Sequence, residues 1–273
     1  MKMIIAPADF SAVSNNACTF AAKMAEQVHA RLILLHVQEL PAAVAEYTVS
    51  EEVFNSMNEE SDLENLRLKL LSETGNQVEI DTKYILGSVD YEIGQLCKDV
   101  RPLALVMGTH SYGALDRFLL GSKTIYAARN VKYPVLIVPA GAVFQPFRKI
   151  ALATDLKNVY QVPIHEIEMM VRYFDASLDI FYAGKNEEDL SRHTLGDVLL
   201  EGRLEHLNPQ FHVTEETDVM KGISALARKH GTDLLVIIPK KHGMFHKSQS
   251  KDFILYANIP VLAIHEDDEI GPQ

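Results

Sequence analysis

The chain has 273 residues, a length that suggests two domains rather than one. Its 47% hydrophobic and 23% charged residues are typical of a globular protein that buries an ordinary core. The formal net charge of −11 argues against a broad nucleic-acid-binding surface. No run of about 18 apolar residues predicts a membrane span. The first residues turn polar too early for a signal peptide, so we expect a cytoplasmic protein.

In the first half, short apolar runs alternate with helical patterns. The runs are rich in Ile, Val and Leu without strict alternation, which is typical of parallel strands buried on both faces. They cover 2–7, 31–37, 78–85, 103–108 and 134–138. From Ala17 to Val28 apolar residues recur with helical spacing, and Ser11 or Ser14 is placed to cap that helix. Further helices are predicted over 51–74 and 89–100 and from Ser122 onward.

The second half repeats this order. Its predicted strands are 149–154, 177–183, 211–217, 233–238 and 260–264, and its predicted helices are 159–174, 186–206, 219–230 and 247–257. The Asp that ends the first apolar run, Asp9, recurs as Asp155 after the corresponding run, and the next pair of runs keeps the same offset. We therefore predict an α/β fold with two tandem Rossmann-like domains, 1–140 and 148–273. Each would hold a five-stranded parallel sheet between helices.

The two halves differ most clearly after the fourth strand. Here the first half reads Gly-Thr-His-Ser over 108–111 and Gly-Ser at 121–122, whereas the second half reads Pro-Lys-Lys-His over 239–242. In an open parallel sheet, ligands bind beyond the C-terminal strand ends, where Asp9, Val37 and Gly108 would converge. Backbone N–H groups of a glycine loop and a helix beginning at Ser122 are suited to hold an anion.

These motifs resemble those of the universal stress protein family. The resemblance rests on Pro7-x-Asp9, on 106–110, on 115–122 and on the strand 134–139, and the family pattern is G-x2-G-x9-G-[ST]. It implies a tandem member whose first domain binds ATP, ADP or AMP, with Mg²⁺ as a candidate companion. The residues that it assigns to the nucleotide are Pro7, Asp9, Val37, Gly108, His110, Ser111, Gly121, Ser122 and Lys123. Ser111 stands where the family pattern has its second glycine.

The resemblance implies a cytoplasmic stress-response protein whose second domain is a built-in dimer partner. Strands 134–138 and 260–264 would pair within one chain, and a homodimer is also open. One alternative is a protein-interaction module that needs no nucleotide, which Ser111 favours. Another is a carrier of a small apolar or lipid-like ligand, covered by the segment 38–62. No Walker A loop or Ser-His-Asp arrangement supports catalysis, and the resemblance implies at most slow ATP hydrolysis.

Several of these residues also have a purely structural interpretation. Asp9 would cap the first helix, and the two loop glycines would serve only a tight turn. The two cysteines, Cys18 and Cys97, are expected to be buried small hydrophobic residues, since neither belongs to a C-x-x-C pair. His242 and His246, four positions apart, form a weak candidate metal pair.

Overall fold

The computed structural model describes residues 2–39, 49–109, 122–154, 159–183, 200, 202–216, 218–239 and 259–265. Contacts between residues divide the chain into two compact units, one holding the first five strands and one holding the last five. Asp155, the histidine pair at 242 and 246, and the predicted helix 247–257 lie outside the described residues. Within the described residues, no helix combines the length and apolarity needed to cross a bilayer.

The first unit is a parallel five-stranded sheet with helices between its strands. The strands are β1 (Met3–Pro7), β2 (Arg31–Gln38), β3 (Ile80–Leu86), β4 (Ala104–Thr109) and β5 (Val135–Pro139). The helices are α1 (Ala12–Val28), α2 (Val49–Glu73), α3 (Val89–Val100) and α4 (Ser122–Asn130). Neighbouring strands pair in the order β3-β2-β1-β4-β5, so the order reverses between β1 and β4. This confirms the predicted fold class.

The second unit has the same strand order, β8-β7-β6-β9-β10, again parallel throughout. Its strands are β6 (Lys149–Thr154), β7 (Ser177–Ala183), β8 (Gln210–Thr214), β9 (Leu234–Ile237) and β10 (Val261–Ala263). Its helices include α5 (Ile164–Phe174) and α6 (Val219–His230). The offset from the start of β1 to the start of β6 equals the offset from β2 to β7, which confirms the repeat register.

Helix α1 shows how the sequence pattern becomes packing. Its apolar face is buried as the helical spacing predicts: Ala17, Phe20, Ala21, Met24, Ala25 and Val28. Of the two candidate caps, Ser11 is the N-cap, and its side chain accepts a hydrogen bond from Ser14 N at 3.1 Å. The interpretation of Asp9 as the cap is therefore wrong, because Asp9 precedes the residue whose side chain reaches the helix.

The predicted helix 159–174 starts later than expected. Residues Val159–Gln161 form a short 3₁₀ turn, and α5 begins only at Ile164. Pro163 explains the delay, because a proline disfavours the helical conformation in the residue before it and offers no N–H itself. Of the predicted helix 186–206, residues 202–204 are helical and pass into a 3₁₀ turn at Glu205–Leu207. The segment 184–199 lies outside the described residues.

The predicted strand 211–217 is also shorter than expected, since β8 ends at Thr214. After Thr214, side-chain oxygens accept hydrogen bonds from backbone N–H groups that precede or begin α6. Thr214 Oγ1 accepts a hydrogen bond from Glu216 N at 3.3 Å, and Asp218 Oδ1 caps α6 by accepting from Met220 N at 3.1 Å. Local side-chain acceptors of this kind compete with the ladder of a sheet and end the strand.

Both cysteines are fully buried, as predicted. Burial raises the pKa of Cys18 and of Cys97 to about 12. At about pH 8 only on the order of one thiol in ten thousand is then a thiolate, the reactive form. We expect neither cysteine to react with a thiol reagent such as DTNB in the folded protein, and both to react after denaturation in urea. Rapid modification of one thiol in the folded chain would contradict this picture.

Candidate functional site

The predicted site residues on β1, β2 and β4 lie together at the C-terminal edge of the first sheet. Since β1 lies between β2 and β4, the C-terminal ends of all three strands are adjacent. Pro7 ends β1, and Ala8 N continues the pairing by donating to Leu35 O at 2.8 Å. Asp9 follows, exposed, while Val37 is half-buried near the end of β2. This edge contains the strand-order reversal at which such sheets bind ligands.

The loop from β1 to α1 is held by its own side chains. Ser14 Oγ accepts a hydrogen bond from Asp9 N at 3.0 Å and donates to Pro7 O at 3.3 Å. Asp9 Oδ1 accepts from Ser11 N at 3.0 Å. Between them, Phe10 adopts a left-handed backbone conformation with φ +61°, which is costly for a residue with a Cβ. The loop therefore presents the Asp9 carboxylate from a defined backbone.

Gly108 is required by the close approach of α1. A Cβ at this position would lie 2.6 Å from Val13 Cγ1 and 2.8 Å from Val13 O. Its φ is not positive, so the alternative that this glycine serves only a tight turn is wrong. Gly108 is an ordinary strand residue at a position that has room for hydrogen alone. The candidate glycine at 121 lies outside the described residues.

The second unit has a large side chain at the equivalent position. Ile4 pairs with Ala104 in the first sheet, and Ile150 pairs with Leu234 in the second, so the counterpart of Gly108 is Ile238. The match of 239–242 with 108–111 that the motifs suggest is therefore one residue too late. Ile238 is buried, and an isoleucine excludes the approach that Gly108 allows. The two units thus differ in the packing under this edge as well as in the sequence that follows it.

Helix α4 begins at Ser122 and is tied to the end of β4. Thr124 Oγ1 donates a hydrogen bond to Gly108 O at 3.1 Å. Lys123 Nζ lies 3.0 Å from Glu39 Oε2, which links α4 to the end of β2. This hydrogen bond holds the pKa of Glu39 below its usual value, while burial raises the pKa of Asp90 against the effect of Lys123. Lys123 thus places a cation among carboxylates at this edge.

His36, which no sequence motif indicated, packs beneath the β1–α1 loop. It is buried in β2, with Nδ1 2.6 Å from Ala8 O and Nε2 3.3 Å from Glu59 Oε2. Its ring stacks on Phe10 at 4.7 Å and on Tyr84 at 5.6 Å. The only sequence signal was a polar residue within the apolar run 32–37, and that signal named no partner.

Tyr84, on β3, extends this network toward α2. Its hydroxyl donates to Gln38 Oε1 and lies 3.5 Å from Glu59 Oε2. Burial, followed by the negative charge of Glu59, raises the pKa of Tyr84. The two rings and the carboxylate therefore form a polar layer beneath the β1–α1 loop.

Of the nine predicted site residues, the structure brings six to this edge through strand ends, the β1–α1 loop or the first turn of α4: Pro7, Asp9, Val37, Gly108, Ser122 and Lys123. His110, Ser111 and Gly121 lie outside the described residues. The assignment of all nine to a nucleotide stays a prediction. The structure adds the scaffold that holds the edge: Ser14, His36 and Thr124.

Comparison with known proteins agrees with this fold. The model of the universal stress protein family matches residues 1–139. A universal stress protein of Methanocaldococcus jannaschii is 30% identical over 140 residues, which are 50% of this chain and 81% of that protein.

Solved structures extend the likeness in fold to both units. A universal stress protein from Archaeoglobus fulgidus covers 96% of this chain, over 98% of its own, with a TM-score of 0.76 at 15% identity. A protein from Pseudomonas aeruginosa covers 98%, over 94% of its own, with a TM-score of 0.60 at 14% identity. The chain therefore belongs to the universal stress protein family and is of the tandem type, with two units in one polypeptide.

Proposed function

We propose that the first unit binds an adenine nucleotide at the C-terminal edge of its sheet, as part of a stress response. The observation that carries the proposal is the start of α4 at Ser122, with its first turn tied by Thr124 to Gly108 O. A helix N-terminus offers unpaired N–H groups and a partial positive charge, and so favours phosphate. Lys123 adds a full positive charge in the same turn.

The roles within this site follow the family resemblance. Asp9 and Val37 would hold the adenosine, with the exposed Asp9 carboxylate accepting hydrogen bonds from it. Gly108, Gly121 and Ser122 would contact ribose and phosphate, with His110, Ser111 and Lys123 completing the phosphate side. Pro7 would restrict the backbone conformation at the end of β1. Since Lys123 is already paired with Glu39, a bound phosphate competes with that carboxylate. Mg²⁺ bound to a triphosphate would reduce the repulsion between the phosphates and the carboxylates at this edge.

Thermal unfolding with and without about 5 mM Mg-ATP, ADP or AMP tests the proposal. A nucleotide that binds the native state with a Kd of about 0.1 mM would stabilise it by about 2 kcal/mol. We expect the melting temperature of the wild-type protein to rise, and the rise to be lost in Asp9→Ala and in Gly121→Glu. Asp99→Ala is the matched control, since Asp99 is an exposed acid near the far end of α3.

A well-folded wild type with an unchanged melting temperature at that concentration would contradict nucleotide binding. It would favour the nucleotide-independent interaction module, which Ser111 supports. Equal shifts in the wild type and in both site variants would place the nucleotide elsewhere. Mass spectrometry of small molecules released on denaturation separates the alternatives further, because a co-purified adenine nucleotide and a lipid differ in mass.

The apolar carrier finds little support beside α2. A cavity of about 640 Å³ lies there, but its lining is mainly polar: Glu60, Ser61, Leu63, Glu64, Thr82 and Tyr84. Pockets for apolar ligands are lined predominantly by hydrophobic side chains. Residues 40–48 of the proposed cover lie outside the described residues. The role of the second unit as a built-in dimer partner and the cytoplasmic location stay predictions.

A further inference from the structure

Three side chains of the kind that bind transition metals meet in the second unit. They are Asp179 on β7, His212 on β8 and His230, the last residue of α6. Asp179 is the third residue of its strand, and His212 is the third residue of β8 and pairs with Phe181. Asp179 thus lies in the N-terminal half of β7, and His212 lies at the middle of β8. Ligand sites of parallel sheets form beyond the C-terminal ends of the strands, where none of the three residues lies, so this cluster is separate from any nucleotide site.

The fold fixes the histidine of α6 by its backbone. Helix α6 returns across the sheet after β8 and ends at His230, where Gly231 takes a left-handed conformation with φ +66°. Lys149, the first residue of β6, donates from Nζ to His230 O at 2.9 Å. The helix end is therefore anchored over the start of the sheet, and the imidazole of His230 points to the same place as the side chains of β7 and β8.

The three groups are close enough to share one ion. His212 Nε2 lies 3.3 Å from Asp179 Oδ1, and the two imidazole rings have their centroids 3.8 Å apart. One ligand atom from each residue lies within 4.8 Å of the others. Ligand atoms about 2 Å from a tetrahedral ion lie somewhat closer together than that, which small side-chain rotations achieve. Phe181 borders both histidine rings, at 5.6 and 5.9 Å, and supplies an apolar wall.

A second observation points to a ligand here. His230 Nε2 is buried and has no hydrogen-bond partner among the described residues. Buried polar atoms without a partner are rare in folded proteins, because burial removes the water that would satisfy them. Asp179 is a carboxylate with only 8% of its surface exposed.

We propose that Asp179, His212 and His230 form a site for a divalent transition metal ion, of which Zn²⁺ is the best match. Two imidazole nitrogens and one carboxylate oxygen are accepted zinc ligands, and three protein ligands leave a fourth position for water. The imidazoles argue against Mg²⁺ and Ca²⁺, which prefer all-oxygen sets. The ion would be the missing partner of His230 Nε2, and its positive charge would balance the buried carboxylate of Asp179.

Isothermal titration of the metal-free full-length chain with ZnCl₂ tests this site. We expect binding of one ion by the wild type, weakened about 100-fold or more in His230→Gln and in Asp179→Asn, since each removes a direct ligand. His206→Gln is the matched control, because His206 also faces a carboxylate, Glu168 at 2.9 Å, in the same unit. The double variant His242→Gln/His246→Gln tests the weak pair that the sequence suggested.

Wild-type protein that binds no zinc at micromolar concentration would overturn the proposal. So would zinc binding that persists in folded His230→Gln and disappears in the double variant at 242 and 246. If the site variants do not fold, crystals of the wild type grown with zinc give the answer. Anomalous scattering at the zinc edge is expected between the three side chains, and a peak elsewhere, or none, would reject the site.

Discussion

Replacing Gly108 with alanine is expected to lower the free energy of unfolding by about 1–3 kcal/mol. The new methyl group would lie 2.6 Å from Val13 Cγ1 and 2.8 Å from Val13 O. The valine side chain can rotate, but the carbonyl belongs to the backbone of α1 and is held by the helix. Either α1 moves away from β4, or the strand shifts with the carbonyl that accepts from Thr124. Denaturation in urea, followed by circular dichroism, measures the loss.

Gly94→Ala is the matched control for that substitution. Gly94 lies within α3, and a Cβ there would meet nothing within 4 Å. Alanine is a better helix former than glycine by about 1 kcal/mol, so this variant should be as stable as the wild type or more so. Gly108→Ala unfolding at the same urea concentration as the wild type would show that α1 yields without cost, and would remove the packing explanation for this glycine.

Replacing Phe174 with alanine is expected to cost about 3–5 kcal/mol, the largest effect that we predict for a single residue. Phe174 ends α5 with 1% of its surface exposed, and its ring meets Phe147 edge to face, with centroids 4.9 Å apart. Alanine removes the buried ring and leaves a cavity, so the atoms around it, including the ring of Phe147, lose their packing contacts. The same urea denaturation, observed through tyrosine and secondary-structure signals, measures the change.

Tyr160→Ala is the control in the same unit, because Tyr160 has 72% of its surface exposed. Exposed substitutions away from special features usually change stability by less than about 0.5 kcal/mol. If Phe174→Ala were no more costly than Tyr160→Ala, the aromatic pair would not be part of the core of the second unit.

Much of the fold could be predicted because it is encoded in local periodicity. The buried face of α1 follows from apolar spacing along one segment, and β6 and β7 follow β1 and β2 at one constant offset along the chain. The predicted bounds were wrong at the ends of elements, where a single residue determines whether a helix or strand continues. Pro163 delayed α5, and the acceptor on Thr214 ended β8 early. Side-chain hydrogen bonds of this kind leave no periodic signal.

The candidate nucleotide edge was predicted in part. Parallel topology alone brings Asp9, Val37 and Gly108 to one edge, so the order of elements was enough to place them. The support beneath that edge was not predictable, because the structural role of His36 depends on its contacts with Ala8 O and Glu59. These partners are separated from it by 28 and 23 residues in the sequence.

The sequence by itself determined the order of elements, the repeat and the family, because hydrophobic spacing and short motifs are properties of neighbouring residues. Only the tertiary structure decided why Gly108 must be glycine, since that depends on how closely α1 approaches β4. It alone assembled Asp179, His212 and His230, which belong to three different elements of the second unit. No local pattern marks such a cluster, because its geometry arises when two strands and a returning helix pack together.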